Sequence, residues 1–162
     1  MDHLKSLDVT LLPGEKVYHQ LQLLLNRAPR LHLLKFSHLS YLDTTLFEIQ
    51  NSSIRRLDFF TKESMLYSWY FDKKQCMLLA NSSLGRQCRT LVIDIEHRAN
   101  IIDLINEMNN LQSLIFQCKE DQWSHNSSPD KDEFIQYLHE NLSATCSISR
   151  DPVQTSIIQI IN

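Results

Sequence analysis

The sequence predicts an α/β fold, a solenoid of about five to six irregular strand–helix repeats with a mostly parallel sheet, forming one domain over residues 1–162. A hexapeptide of pattern Φ-x-x-Φ-x-Φ, with Φ apolar, occurs as "LKSLDV", "LHLLKF", "IRRLDF", "CRTLVI" and "LQSLIF". Each copy is too short for a helix, and its second half alternates apolar and polar positions, so it reads as a strand. The first apolar residues are Leu4, Leu31, Ile54, Cys88 and Leu111, at steps of 27, 23, 34 and 23 residues. The segments between them carry helical periodicity, which makes strand then helix the repeating unit.

Those steps match or slightly exceed the roughly 20–29 residues of leucine-rich repeats. One strand and its helix cannot bury their own apolar face, whereas stacked neighbours make a continuous core. The first helix is expected over residues 15–27, with Val17, Leu21, Leu24 and Leu25 on one face and Pro29 beyond its end. The second begins at Asp72, with Gln75 at capping-box spacing and Gly85 past its end. The third begins at Asn100 and Asp103 with the stripe Ile101, Leu104, Ile105 and Met108, and the fourth at Asp130 and Glu133 with Phe134, Ile135, Leu138 and Leu142. Residues 41–50 form a weaker helical turn, 119–130 a loop, and 145–150 and 157–161 closing strands. The terminal "IIQII" would be an aggregation-prone edge if left uncovered.

Composition narrows the function. With 16 Lys+Arg against 19 Asp+Glu the net charge is -3, which argues against the basic surface that nucleic acid requires. Two glycines cannot build Gly-rich phosphate loops. Cys76, Cys88, Cys118 and Cys146 lie far apart in apolar runs and are expected as reduced, mostly buried thiols. The N-terminal residues lack a signal peptide's apolar stretch and no run approaches the length of a membrane span, so the expected location is cytoplasmic or nuclear. Met1 is followed at once by a strand. The expectation is therefore a fragment or truncated member of something longer, the alternative being a true start with a tolerated open edge.

Chemistry is sparse. None of the seven histidines pairs with another at i, i+4, and His97 beside Asp94 and Glu96 is split from them by strand alternation, so no metal site is expected. There is no G-x-S-x-G, no active-site cysteine signature and no carboxylate pair in a context that implies mutual pKa tuning. No catalytic residue and no cofactor are assigned, and the chain is read as a non-enzyme. A small Ser/His/Asp hydrolase assembled by the fold is a distant competitor.

The phrases "SSIRRLDFF", "SSLGRQCRTLVIDI", "IIDLINEMNNLQSLIFQCKED" and "FIQYLHENLSATCSISRDP" together resemble the leucine-rich-repeat, substrate-recognition region of F-box-type proteins over about residues 28–152. "MNNLQSLIFQCKED" is the most distinctive of them. The resemblance implies a protein-binding role in ubiquitin-ligase substrate recognition. Two features depart from the pattern. The ninth repeat positions are Leu12, Leu39, Lys62, Glu96 and Lys119 rather than Asn or Cys, so no asparagine ladder is expected and an irregular α/β stack is expected instead of a smooth horseshoe. No F-box is visible either, since "LLPGEKVYHQL" follows a strand and lacks the further helices; ubiquitin-ligase components would be reached only through a missing F-box.

Inward-pointing Φ residues leave the intervening positions on the concave sheet face. The partner-binding residues expected there are Leu33, Lys35, Arg56, Asp58, Phe60, Val92, Asp94, Ile115 and Gln117, flanked by Ser6, Asp8, Thr90 and Ser113. Mixed charge with apolar anchors suits a protein ligand, with no nucleic acid or membrane. The aromatic cluster Tyr67, Trp69, Tyr70 and Phe71 is either a second patch or a plug at the solenoid's edge. The alternative to recognition is an inert or structural solenoid fragment with no ligase role.

Overall fold

The computed structural model describes residues 4–10, 18–37, 44–60, 69–121 and 132–162. Seven strands form one mixed sheet: β1 (Ser6–Thr10), β2 (Leu33–Ser37), β3 (Arg56–Asp58), β4 (Thr90–Ile95), β5 (Ser113–Cys118), β6 (Ser147–Arg150) and β7 (Ile158–Ile161). Their spatial order is β1-β2-β3-β4-β5-β7-β6. β1 to β5 are parallel neighbours in chain order, while β7 runs antiparallel to both β5 and β6. Five helices lie among the described residues: α1 (Tyr18–Asn26), α2 (Lys73–Asn81), α3 (Ser83–Gln87), α4 (Arg98–Glu107) and α5 (Glu133–Asn141), with a short 3-10 turn at Thr44–Glu48.

The five hexapeptides occupy the strand starts as their pattern requires. One register row runs Leu7, Leu34, Leu57, Leu91, Leu114, Ile160 and Ile148 across all seven strands. These side chains meet Leu21 and Leu25 of α1, Cys76 and Leu79 of α2, Ile101 and Leu104 of α4, and Phe134 and Leu138 of α5 in a single core. The backbone repeats as well. The carbonyl of Lys5 accepts the amides of His32 and Leu33, that of His32 accepts Arg55 and Arg56, that of Arg55 accepts Arg89 and Thr90, and that of Arg89 accepts Gln112 and Ser113. Equivalent positions in successive units thus make equivalent bonds.

A ladder of side-chain amides does run across the units, from the residues that precede β3, β4 and β5 and from Asn162 just after β7, rather than at the ninth position. Asn51 Nδ2 donates to the Leu25 carbonyl at 3.1 Å, Gln87 Nε2 to that of Asn51, Asn110 Nδ2 to that of Arg86 at 2.7 Å, and Asn162 Nδ2 to that of Leu111 at 3.0 Å. Each gives a backbone carbonyl of the preceding stretch a side-chain donor, and the Leu25 carbonyl shares it with the Ala28 amide.

The longest step, 34 residues, has a local cause. Arg56 pairs with Thr90, so residue 61 would stand opposite Ile95; the bridge to Ile95 is made instead by Phe71. Phe71 thus takes the place opposite Ile95 ten residues late, with Phe71 N–H donating to the Asp94 carbonyl at 2.8 Å and Glu96 N–H donating to the Phe71 carbonyl at 3.0 Å. Phe59 and Phe71 close the gap at a ring-centroid distance of 5.1 Å, and Phe59 stacks on Phe36 at 5.1 Å. Phe71 is therefore core rather than surface; Tyr67 lies outside the described residues.

Several expectations are refined. Asp72 and Gln75 form the anticipated capping box on α2. Gly85 lies beyond the end of α2, as expected, but inside a further short helix, α3, where a Cβ would stand 1.9 Å from the Leu79 carbonyl oxygen. The third helix starts at Arg98 with His97 as N-cap, and Asn100 is a buried residue of its first turn. The cap of α5 is Asp132, whose side chain accepts from Ile135 N–H; Asp130, most of the 119–130 loop and residues 15–17 lie outside the described residues. The terminal "IIQII" is no free edge. β7 lies between β5 and β6, and Ile158 and Ile160 are buried.

Candidate binding face on the sheet

Strand alternation puts the expected binding residues on the face opposite the core. Leu33 and Arg56 share a register row with Ser6, Thr90 and Ser113; Lys35, Asp58, Val92 and Ile115 share the next with Asp8 and Gln159; Asp94 pairs with Gln117 beyond that. Phe60 continues the alternation just past Asp58. The nine residues are thus brought together by four parallel strands, β2 to β5, three of them contributing charge.

The face is not uniformly open. Lys35 and Arg56 are exposed enough to meet solvent, whereas Val92 is 6 % and Asp94 3 % exposed. Its charges are mostly matched: Lys35 Nζ lies 3.4 Å from Asp8 on the neighbouring strand, and Arg56 lies 3.7 Å from Asp58 two residues along its own strand. Exposed pairs of this kind hold orientation more than stability. Gln117 Nε2 donates to Ser156 Oγ at 2.9 Å. Asp94 is the exception, with one carboxyl oxygen that accepts no hydrogen bond. Burial, against a weaker lowering by the Gln117 backbone amide and with Asp58's charge adding, pushes its carboxyl up to about 7.

Two polar clusters lie off this face, and sequence reasoning did not find them. Arg150 forks onto Asp121 at 2.6 and 3.0 Å and onto Asp132 at 2.5 and 3.0 Å, and also donates to the Thr155 carbonyl. All three side chains are nearly buried. Desolvation would raise the Asp132 carboxyl, but the Arg150 guanidinium and the Ile135 amide outweigh it and hold it below its ordinary range. The only sequence signal was an aspartate at a helix start, and its partner Arg150 lies eighteen residues on. The second cluster joins His97 Nδ1 to Glu120 at 2.9 Å; the same carboxylate accepts Arg98 N–H, supplying the cap that His97 itself does not give α4. The Arg98 amide, then the His97 ring, keep Glu120 below its ordinary range.

Among the described residues no three His, Cys, Asp or Glu side chains converge to hold a metal ion. Burial pushes the thiols of Cys76, Cys88 and Cys118 up to about 12, 11 and 11, so none is poised as a nucleophile. A shallow groove of about 490 Å³, lined by uncharged side chains such as Asn51, Ser53 and Gln87, lies along the amide ladder; Asn51 and Gln87 are spent on ladder bonds and Ser53 Oγ on the Pro29 carbonyl. No helix among the described residues is long and apolar enough to cross a membrane. Comparison with protein-family models and with curated proteins finds no match for this chain.

Proposed function

We propose that the chain is a non-catalytic protein-recognition module, a leucine-rich-repeat-like solenoid resembling the substrate-recognition half of an F-box ubiquitin-ligase receptor. The sequential parallel order of β1 to β5 and the recurring carbonyl-to-two-amide bonds support the repeat reading. The observation that carries the function is the gathering of Leu33, Lys35, Arg56, Asp58 and Ile115 on one non-core sheet face, where apolar anchors supply affinity and charges supply orientation. The ligase context rests on the sequence resemblance, with any tie to ligase components running through an F-box. The competing reading, a structural solenoid with no ligase role, draws on the burial of Val92 and Asp94 within that same face.

The test is capture of proteins from cell extract by the immobilised chain and by a triple variant, Lys35→Glu, Arg56→Glu and Asp58→Lys, which swaps rather than removes the Arg56–Asp58 pairing. Capture is expected to vanish while cooperative melting persists. Equal capture by both chains would overturn the face as the recognition surface.

A further inference from the structure

Asp58 and Asp94 sit near the middle of the face on adjacent strands. Asp58 is the register partner of Val92, so Asp94 stands on its diagonal, close enough for one long side chain to serve both carboxyls. Donors there are scarce. Asp58, 16 % exposed, takes the Phe60 amide at 3.1 Å and, among the described residues, otherwise only Arg56 at 3.7 Å, and that guanidinium is itself 46 % exposed. Such a long, solvated ion pair is worth little and exchanges readily for a better donor. Asp94 is worse served, since its Oδ1 is buried and accepts nothing. A buried carboxyl oxygen left without a donor is costly, and where one persists something outside the free chain is a natural partner for it.

We propose that Asp58 and Asp94 together receive one cationic side chain, a lysine or an arginine, presented by a protein partner on this face, with the incoming cation taking the place of Arg56. The proposal rests on the recognition reading above. The hydrocarbon stem of such a side chain fits the apolar neighbours Val92 and Ile115, which share Asp58's register row. A charge-assisted bond to an otherwise orphaned carboxyl is among the stronger polar contacts available, and it discriminates sharply against a neutral side chain.

The probes are n-butylguanidinium and n-butylammonium, with neutral butyramide as control, titrated into the full chain while backbone amide signals are followed by NMR. Saturable shifts at Asp58, Asp94 and Gln117 are expected with the two cations and not with butyramide. Asp94→Asn, nearly isosteric, should weaken cation binding at least tenfold, and Asp58→Asn, equally isosteric and at a partly exposed position, should do the same with the fold untouched. Equal binding of butyramide, or cation binding unchanged in both variants, would overturn the cation site. If partner capture still disappears in the triple variant, the face survives that failure; if wild-type and triple variant capture equally, the face itself fails.

Discussion

The two ends of the sheet solve the same problem differently. At one end β1 has β2 as its one neighbour among the described strands, and its inward residues Leu7 and Val9 remain half-buried although they occupy the rows of Leu34 and Phe36, which are fully buried. Its polar ties there are exposed, namely Lys35 to Asp8 and Ser37 Oγ to Asp8 at 2.6 Å. At the other end the last parallel strand is covered by the β7–β6 hairpin, and Arg150 clamps the end of β5 and the cap of α5 from within. The comparison teaches that burial in a stacked sheet belongs to the neighbour as much as to the residue. The same leucine in the same motif contributes fully only where a strand stands on both sides.

Removing the clamp should have the largest effect. Arg150→Met leaves Asp121 and Asp132 buried without their cation, and a loss of about 3–5 kcal/mol is expected in urea unfolding; Arg150→Lys should recover little, because an ammonium cannot fork onto two carboxylates. A loss under about 1 kcal/mol would mean that the hairpin alone closes this end. Next comes the matched pair in the core row. Leu114→Ala should cost about 3 kcal/mol and Leu7→Ala less than half of that, and equal costs would show that β1 is covered in solution.

Acid and base should act on different regions. Asp94 binds its proton more tightly folded than unfolded, so its contribution is complete below the ordinary value of 3.8 and is lost as pH rises to about 7, at up to about 1.4 kcal/mol per pH unit. Asp132 has the opposite sign, since its lowered pKa contributes above the ordinary carboxylate range and is lost as acid protonates the clamp. Asp94→Asn should flatten the first trend and leave the second; a stability curve flat from pH 4 to 7 in the unsubstituted chain would contradict the burial of that carboxyl. The smallest change belongs to the open end, where Lys35→Ala should cost no more than about 0.5 kcal/mol and still less in high salt.

The sequence by itself determined the strands, the order of strand and helix, the α2 capping box and the face each strand position would occupy. These are local or periodic properties: alternation fixes a side, and a cap is written within four residues. Tertiary structure alone decided what depends on partners distant in the chain. Phe71 pairs with Ile95 in the sheet, ten positions later than the register of β3 would place a partner. β7 enters between β5 and β6 because an apolar strand with two open sides finds both neighbours there. Asp94 becomes an unpartnered buried carboxyl, and Arg150 a clamp, only once strands far apart in sequence stand side by side. Pairing energy depends on that juxtaposition, and no window of neighbouring residues contains it.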